Sequence, residues 1–184
     1  MVSTTGLSLP LLRPDQYAIS QHPAKLKVLA MGRRWGKTIL GGCCALTTAN
    51  AGGHVAWVVP NYRNSEPVWR LLRRVVAAQR GARRVRISEQ ERTIEFPGGG
   101  FVSIYSADNA DAMRGEAFDL VILDEAARMD PVVWTDVVQP TLADRNGDAM
   151  LISTPAGRNW FFDLFMQGQV DGQYVQSWQA PSRD

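Results

Sequence analysis

The sequence predicts an α/β fold, a mostly parallel central sheet flanked by helices, from two observations. Short apolar runs alternate with helical segments, and the first run leads into a basic, glycine-containing loop that opens a helix. With 184 residues, 45% of them hydrophobic, the chain is long enough for one domain that buries roughly two-thirds of its unfolded surface.

Four runs supply the strands. Lys27 to Met31, His54 to Val59, Leu120 to Asp124 and Ala149 to Ser153 are apolar almost without alternation, as in a parallel sheet covered on both faces. Helices are predicted from Lys37 to Asn50, Ser65 to Gln79, Pro131 to Leu142 and Asn159 to Gln167. Residues 85–105 break this rhythm. Their short alternating runs, divided by polar and Gly-rich turns, predict antiparallel hairpins at the sheet edge. No internal repeat or low-complexity linker interrupts the chain, so residues 1–184 are expected to form a single domain.

Composition narrows the function classes. The net charge of +2 does not by itself mark a nucleic-acid binder, although the arginines are clustered. Cys43 and Cys44 are adjacent, which strains a mutual disulfide and matches neither zinc nor redox spacing, so buried thiols in a reducing compartment are expected. The N-terminus lacks the basic start and long apolar run of a secretory signal. No stretch approaches eighteen apolar residues, so neither export nor a membrane partner is expected.

The loop reads "MGRRWGKT", residues 31–38, against the phosphate-loop template G-x-x-x-x-G-K-[ST]. Lys37 and Thr38 occupy the lysine and hydroxyl positions, for the β/γ phosphates and Mg2+, and Gly36 leaves room for backbone to approach an anion. Met31 replaces the first glycine, and Gly32 is expected to make the turn. The alternative is a basic surface turn. A second signal decides between them: "FDLVILDEAA", residues 118–127, is an apolar strand ending in Asp124 and Glu125. In an open parallel sheet ligands bind at the carboxyl ends of strands, where these acids and the loop would meet. Asp124 beside Thr38 suits Mg2+, and Glu125 suits the orientation and deprotonation of an attacking water; a lone glutamate there otherwise reads as a helix cap. No N-K-x-D segment marks a guanine-binding switch, and no G-x-G-x-x-G follows a strand.

Taken together, these segments resemble the ATPase domain of a tailed-phage terminase large subunit, a P-loop NTPase of the ASCE type. "GRRWGKT" is similar to that family's deviant phosphate loop, "VILDEAA" to its acidic strand, and "LISTPAGRNWFFDLF", residues 151–165, to its coupling motif. "LRPDQYAIS", "VVPNYRNSEPVW" and "SADNADAMRGEAFD" follow the family's order as well. The resemblance implies Mg2+-dependent ATP hydrolysis that drives double-stranded DNA into a capsid. It also implies a homo-oligomeric ring, monomeric in isolation, with portal protein and terminase small subunit as partners in the host cytoplasm. A nuclease domain usually follows in this family; "WQAPSRD" stands where it would begin, so no nuclease activity is expected of this chain. A helicase-type translocase and a non-enzymatic nucleotide switch remain as alternatives.

Individual roles follow. Gly32, Trp35, Gly36, Lys37, Thr38 and Ile39 are expected around the nucleotide, with Arg33 or Arg34 clamping phosphate in bidentate fashion. The resemblance makes Gln16 a reader of the adenine edge with Tyr17 nearby, Arg114 a finger for a neighbour's ATP, and Ser153 and Thr154 the coupling pair that senses the γ-phosphate. A plain helix cap would also explain Ser-Thr-Pro. Arg70, Arg73 and Arg74 share a helix face and, with Arg80, Arg83, Arg84 and Arg86, form a candidate DNA or subunit contact; a solvated face is the alternative. The six tryptophans are scattered and fit packing better than base stacking.

Overall fold

The apolar runs lie side by side because neither of their faces tolerates water. The computed structural model describes residues 3–4, 7–79 and 84–182. Its strands, after a small ladder of Ser3–Thr4 with Leu7–Ser8, are β1 (Leu26–Met31), β2 (His54–Val59), β3 (Arg86–Ser88), β4 (Thr93–Glu95), β5 (Phe101–Ser106), β6 (Leu120–Asp124), β7 (Asp148–Ser153) and β8 (Val175–Ala180). They form one eight-stranded sheet in the order β8-β1-β7-β6-β2-β5-β4-β3. Every pairing from β8 to β5 is parallel, and those of β4 with β5 and with β3 are antiparallel.

Alternate residues of each central strand enter different cores. Leu29, Met31, Trp57 and Ile122 pack with Leu40, Leu46, Trp69 and Leu72 on the side of α1 (Pro14–Gln21), α2 (Lys37–Asn50) and α3 (Glu66–Ala77). Val28, Val58, Val121 and Leu123 pack with Trp134, Leu142, Phe161 and Phe165 on the side of α4 (Gln139–Ala143) and α5 (Trp160–Val170). The absence of a polar stripe in these strands is the direct result.

The helix before α4 is π-helical over Val133–Val138, and Gln139 N–H reaches back to the Trp134 carbonyl. Pro140 accounts for this, because its ring has no N–H to give the preceding turn and presses on the carbonyl four residues earlier. Asn159 caps α5 by accepting from the Phe162 N–H at 3.1 Å.

Residues 85–105 form the expected antiparallel hairpins, β3 with β4 and β4 with β5. The other side of Phe101–Ser106 pairs in parallel with β2 from His54↔Phe101 to Val59↔Ser106, which joins the hairpins to the main sheet. Ser103, a polar member of that strand, is buried and meets Thr93 Oγ1 at 2.8 Å instead of facing water. Two elements carry too weak a pattern to be read at all. β8, "VQSWQA", alternates polar residues yet buries Ser177, which donates to the Phe165 carbonyl at 2.7 Å and accepts from Gln169 Nε2 at 2.6 Å. α1 starts on an Arg-Pro-Asp-Gln box, in which Gln16 Oε1 accepts from the Arg13 N–H at 3.0 Å.

Ser177→Ala removes the hydroxyl that ties β8 to α5. It is expected to cost about 1 kcal/mol, read as a lower urea midpoint with an unchanged m-value.

Candidate active site

Parallel pairing brings the carboxyl ends of β1, β7 and β6 to one edge, with Ala30 opposite Ser153 and Asp124 opposite Ile152. β7, which carries the Ser153-Thr154 pair, therefore lies between the strand that feeds the loop and the strand that ends in acids. The loop turns at Gly36, whose φ of 92° is in the left-handed region that favours glycine, and α2 starts at Lys37. Arg34 is also left-handed at φ 58°.

Lys37 Nζ donates to the carbonyls of Met31 at 2.9 Å and Gly32 at 3.0 Å, and to Thr154 Oγ1 at 3.3 Å. Burial lowers its pKa, and the charges of Glu125 and Asp124 oppose that shift. Thr154 in turn faces Glu125: its N–H donates to Oε2 and its hydroxyl lies 3.4 Å from Oε1. Ser153 Oγ, fully buried, is 3.5 Å from Glu125 Oε2 and accepts from the Ala127 N–H at 3.3 Å. Glu125 itself is left-handed at φ 56°, a strained setting for a residue with a Cβ, and Arg128 Nε approaches its Oε2 at 3.8 Å.

Asp124 is the most perturbed acid of the site. Burial first, and the neighbouring Glu125 charge second, push it up to about 6, while Lys37 pulls the other way. The Trp57 indole N–H also favours the ionised form, although it does not reach regular hydrogen-bond geometry. A buried carboxylate held so far from its ordinary value suits a cation. Among the described residues no group of three or more His, Cys, Asp or Glu forms a metal cage. Asp124 at the end of β6 and Thr38 in the first turn of α2 are the oxygen donors here that could serve an ion such as Mg2+, which keeps its waters and takes few protein ligands beside phosphate oxygens. No hydrogen bond among the described residues joins Thr38 to Asp124 directly.

The loop is braced from both sides. Arg13 donates to the Trp35 carbonyl at 2.8 Å and lies over the Trp35 ring at 5.1 Å. Gln16 Nε2 faces the carbonyls of Trp35 and Gly36, both at 3.3 Å, and Gln16 is only 2% exposed. On the other side the Gly32 N–H donates to the Ala180 carbonyl at 2.9 Å and the Arg33 N–H to Ser182 Oγ at 3.1 Å. A Cβ on Gly32 would fall 2.1 Å from the Ser182 nitrogen, so this crossing needs glycine.

Both ends of the Gln16 amide are engaged inside the protein, so it braces the loop; Tyr17 is 51% exposed. The Trp35 side chain is buried as core, leaving only its backbone to the loop, and Ile39 is exposed. Arg33 and Arg34 are exposed at the loop. Arg114 is exposed after β5, pairs with Asp111, and touches none of the loop residues in this chain.

The arginine face of α3 is partly neutralised at home. Arg70 pairs with Glu66 at 3.4 Å and Arg73 with Glu89 at 2.9 Å, while Arg92 joins Glu66 at 3.0 Å over the Tyr62 and Trp69 rings. Arg86 faces Glu95 at 3.7 Å, and Arg74 and Arg84 are exposed. Arg80 and Arg83 lie outside the described residues. Sequence reasoning missed Arg13, Ser182, Arg128 and Trp57. The capping spacing of Arg13 to Gln16 and the three-residue step from Glu125 to Arg128 were available signals; nothing local marked Ser182 or Trp57.

A family model described as "Terminase large subunit, T4likevirus-type, N-terminal" matches residues 28–181. The chain belongs to the terminase large-subunit family. The large subunit of the terminase of Thermus phage G20c is 34% identical over 176 residues, which cover 85% of this chain and 36% of that protein. That of Escherichia phage T5 is 32% identical over 148 residues, 77% and 33% of the two. This terminase chain thus spans about a third of the length of these curated relatives. Among solved structures, the large terminase ATPase domain of Thermus phage P74-26 superposes with a TM-score of 0.78 at 26% identity, over 92% of this chain and 81% of that one. The HK97 bacteriophage large terminase, at 15% identity and a TM-score of 0.74 over 95% and 41%, shares the fold. The P-loop NTPase fold expected of this terminase is the one observed.

Two outcomes test the site. Asp124 stands above its unfolded value of about 3.9, so the folded chain holds the extra proton between that value and about 6, and stability falls as pH rises through this window. Asp124→Asn is therefore expected to stabilise the nucleotide-free chain at neutral pH by on the order of 2 kcal/mol, read as a higher Tm, with the gain fading toward about pH 4. Gln16→Ala is expected to weaken ATP and GTP binding alike in calorimetry. Loss of ATP binding alone would restore adenine reading to Gln16.

Proposed function

We propose that this chain is the ATP-hydrolysing motor domain of a viral DNA-packaging machine. The observation that carries the reading is the convergence of Lys37 and Glu125 on Thr154 at the carboxyl edge of the sheet. A phosphate-neutralising lysine, a carboxylate fit to handle water and a hydroxyl on a separate strand form one connected unit. Membership of the terminase family supports the same assignment.

In this reading the backbone amides of Arg34 to Lys37, those not committed to residues 180–182, and the Lys37 ammonium receive the β and γ phosphates, and the Arg33 or Arg34 side chain clamps the outer oxygens. Thr38 and Asp124 would hold Mg2+, which when bound neutralises charge on the phosphates. Glu125 orients the attacking water and takes its proton. Occupation of the γ-phosphate position draws Lys37 away from Thr154, and loss of that phosphate lets the contact re-form. Ser153 and Thr154 then carry the change into Glu125 and β7. Arg114, exposed and outside its own site, acts on a neighbour's nucleotide in a ring.

Double-stranded DNA is the proposed cargo, with portal protein and the small subunit as partners at the procapsid in the host cytoplasm. No helix among the described residues is long and apolar enough to cross a membrane. Among the described residues of the arginine stretch, Arg74 and Arg84 have no ion pair with an acid of the chain, and they are the favoured DNA or subunit contacts.

Phosphate release by the purified chain with Mg2+ and ATP tests the reading. Glu125→Gln is expected to lower kcat by at least about a hundredfold while nucleotide still binds, and Lys37→Ala to weaken binding itself. Equal turnover in wild type and Glu125→Gln removes the glutamate from the chemistry. In assembled rings, mixing Arg114→Ala subunits with Glu125→Gln subunits is expected to restore turnover at shared interfaces. No recovery in the mixture would place Arg114 outside the trans role.

A further inference from the structure

At the opposite edge of the sheet, beneath the second half of α2, lies a cavity of about 300 Å3. Leu9, Leu12, Thr48, Leu120 and Met150 form much of its wall, and Lys27 reaches it from β1. Lys27 is four positions before Met31, about 13 Å along the strand from the phosphate loop, so the two sites are separate.

Lys27 is 9% exposed, and no side-chain hydrogen bond or ion pair joins it to a described residue. Its stem is enclosed while its ammonium is not sealed off and belongs to the cavity wall, so what fills the cavity decides how that charge is met. The cavity wall does not supply the counter-charge. Asp148, the one acid on its wall, is held by Lys25 at 2.9 Å. The Cys43 and Cys44 thiols are pushed up by burial to about 11 and about 12, so they remain neutral beside it. A single cation above an apolar floor suits one negative charge on a greasy body better than a phosphate, which draws on several donors.

We propose that this cavity binds a small amphipathic carboxylate, with the carboxylate on Lys27, the Thr47 and Thr48 hydroxyls beside it, and the aliphatic body among Leu9, Leu12, Leu120 and Met150. The site stands independently of the hydrolysis mechanism, because none of its residues belongs to the loop or the acidic strand end. Its occupant would rest against α2, the helix whose first residue is Lys37.

Calorimetric titration of the 184-residue chain with octanoate, and with octan-1-ol as the neutral counterpart, tests it. Octanoate is expected to saturate the wild type, to bind Lys27→Arg comparably, and to bind Lys27→Met about tenfold or more weakly. Octan-1-ol is expected to bind wild type and Lys27→Met alike. A melting curve shows whether each variant is folded. Failure of octanoate to saturate the wild type, or equal affinity in a folded Lys27→Met, overturns the proposal. Either result leaves ATP turnover unaffected, so the two readings fail separately.

Discussion

One hydroxyl organises the carboxyl edge of the sheet. Thr154 Oγ1 receives Lys37 on one side and faces Glu125 on the other, so the groups proposed to bind phosphate and to handle water share a single side chain. That sharing is available only because β7 sits between β1 and β6 in the sheet. Parallel order is thus the constraint from which the site descends: the loop, the acids and the coupling pair each end a different strand, and only parallel strands end together.

The electrostatics follow from the same crowding. Three ionisable groups meet at a partly desolvated edge, and neither charge state is comfortable: Lys37 is driven toward losing its proton and Asp124 toward gaining one. Such a pair is poised for a ligand that brings both negative phosphate and positive metal, because each satisfies what the other disturbs. The left-handed backbone of Glu125 adds local strain at the residue assigned to the water.

Much of this was legible in the chain because it rests on local chemistry. Continuous apolar runs marked four parallel strands, and Gly-Lys-Thr and Asp-Glu marked their ends. What stayed hidden depends on burial of polar groups, which no residue type announces. Ser103 and Ser177 look like the wet side of an edge strand, yet each spends its hydroxyl inside the protein. The contacts of Gln16 stayed hidden for the same reason: nothing in the letter shows that its amide faces the Trp35 and Gly36 carbonyls. The arginines on α3 carry ion pairs that their spacing alone does not show: Glu66 on the same helix meets Arg70, and Glu89 from the hairpin region meets Arg73.

The crossing of Ala180 to Ser182 over Gly32 and Arg33 has a mechanical meaning. Two backbone amides of the loop that opens α2 are already spent on the last described turn of polypeptide. Any lengthening or shift of that loop must drag residues 180–182 with it or break both bonds, so the start of α2 and the end of β8 move as one piece.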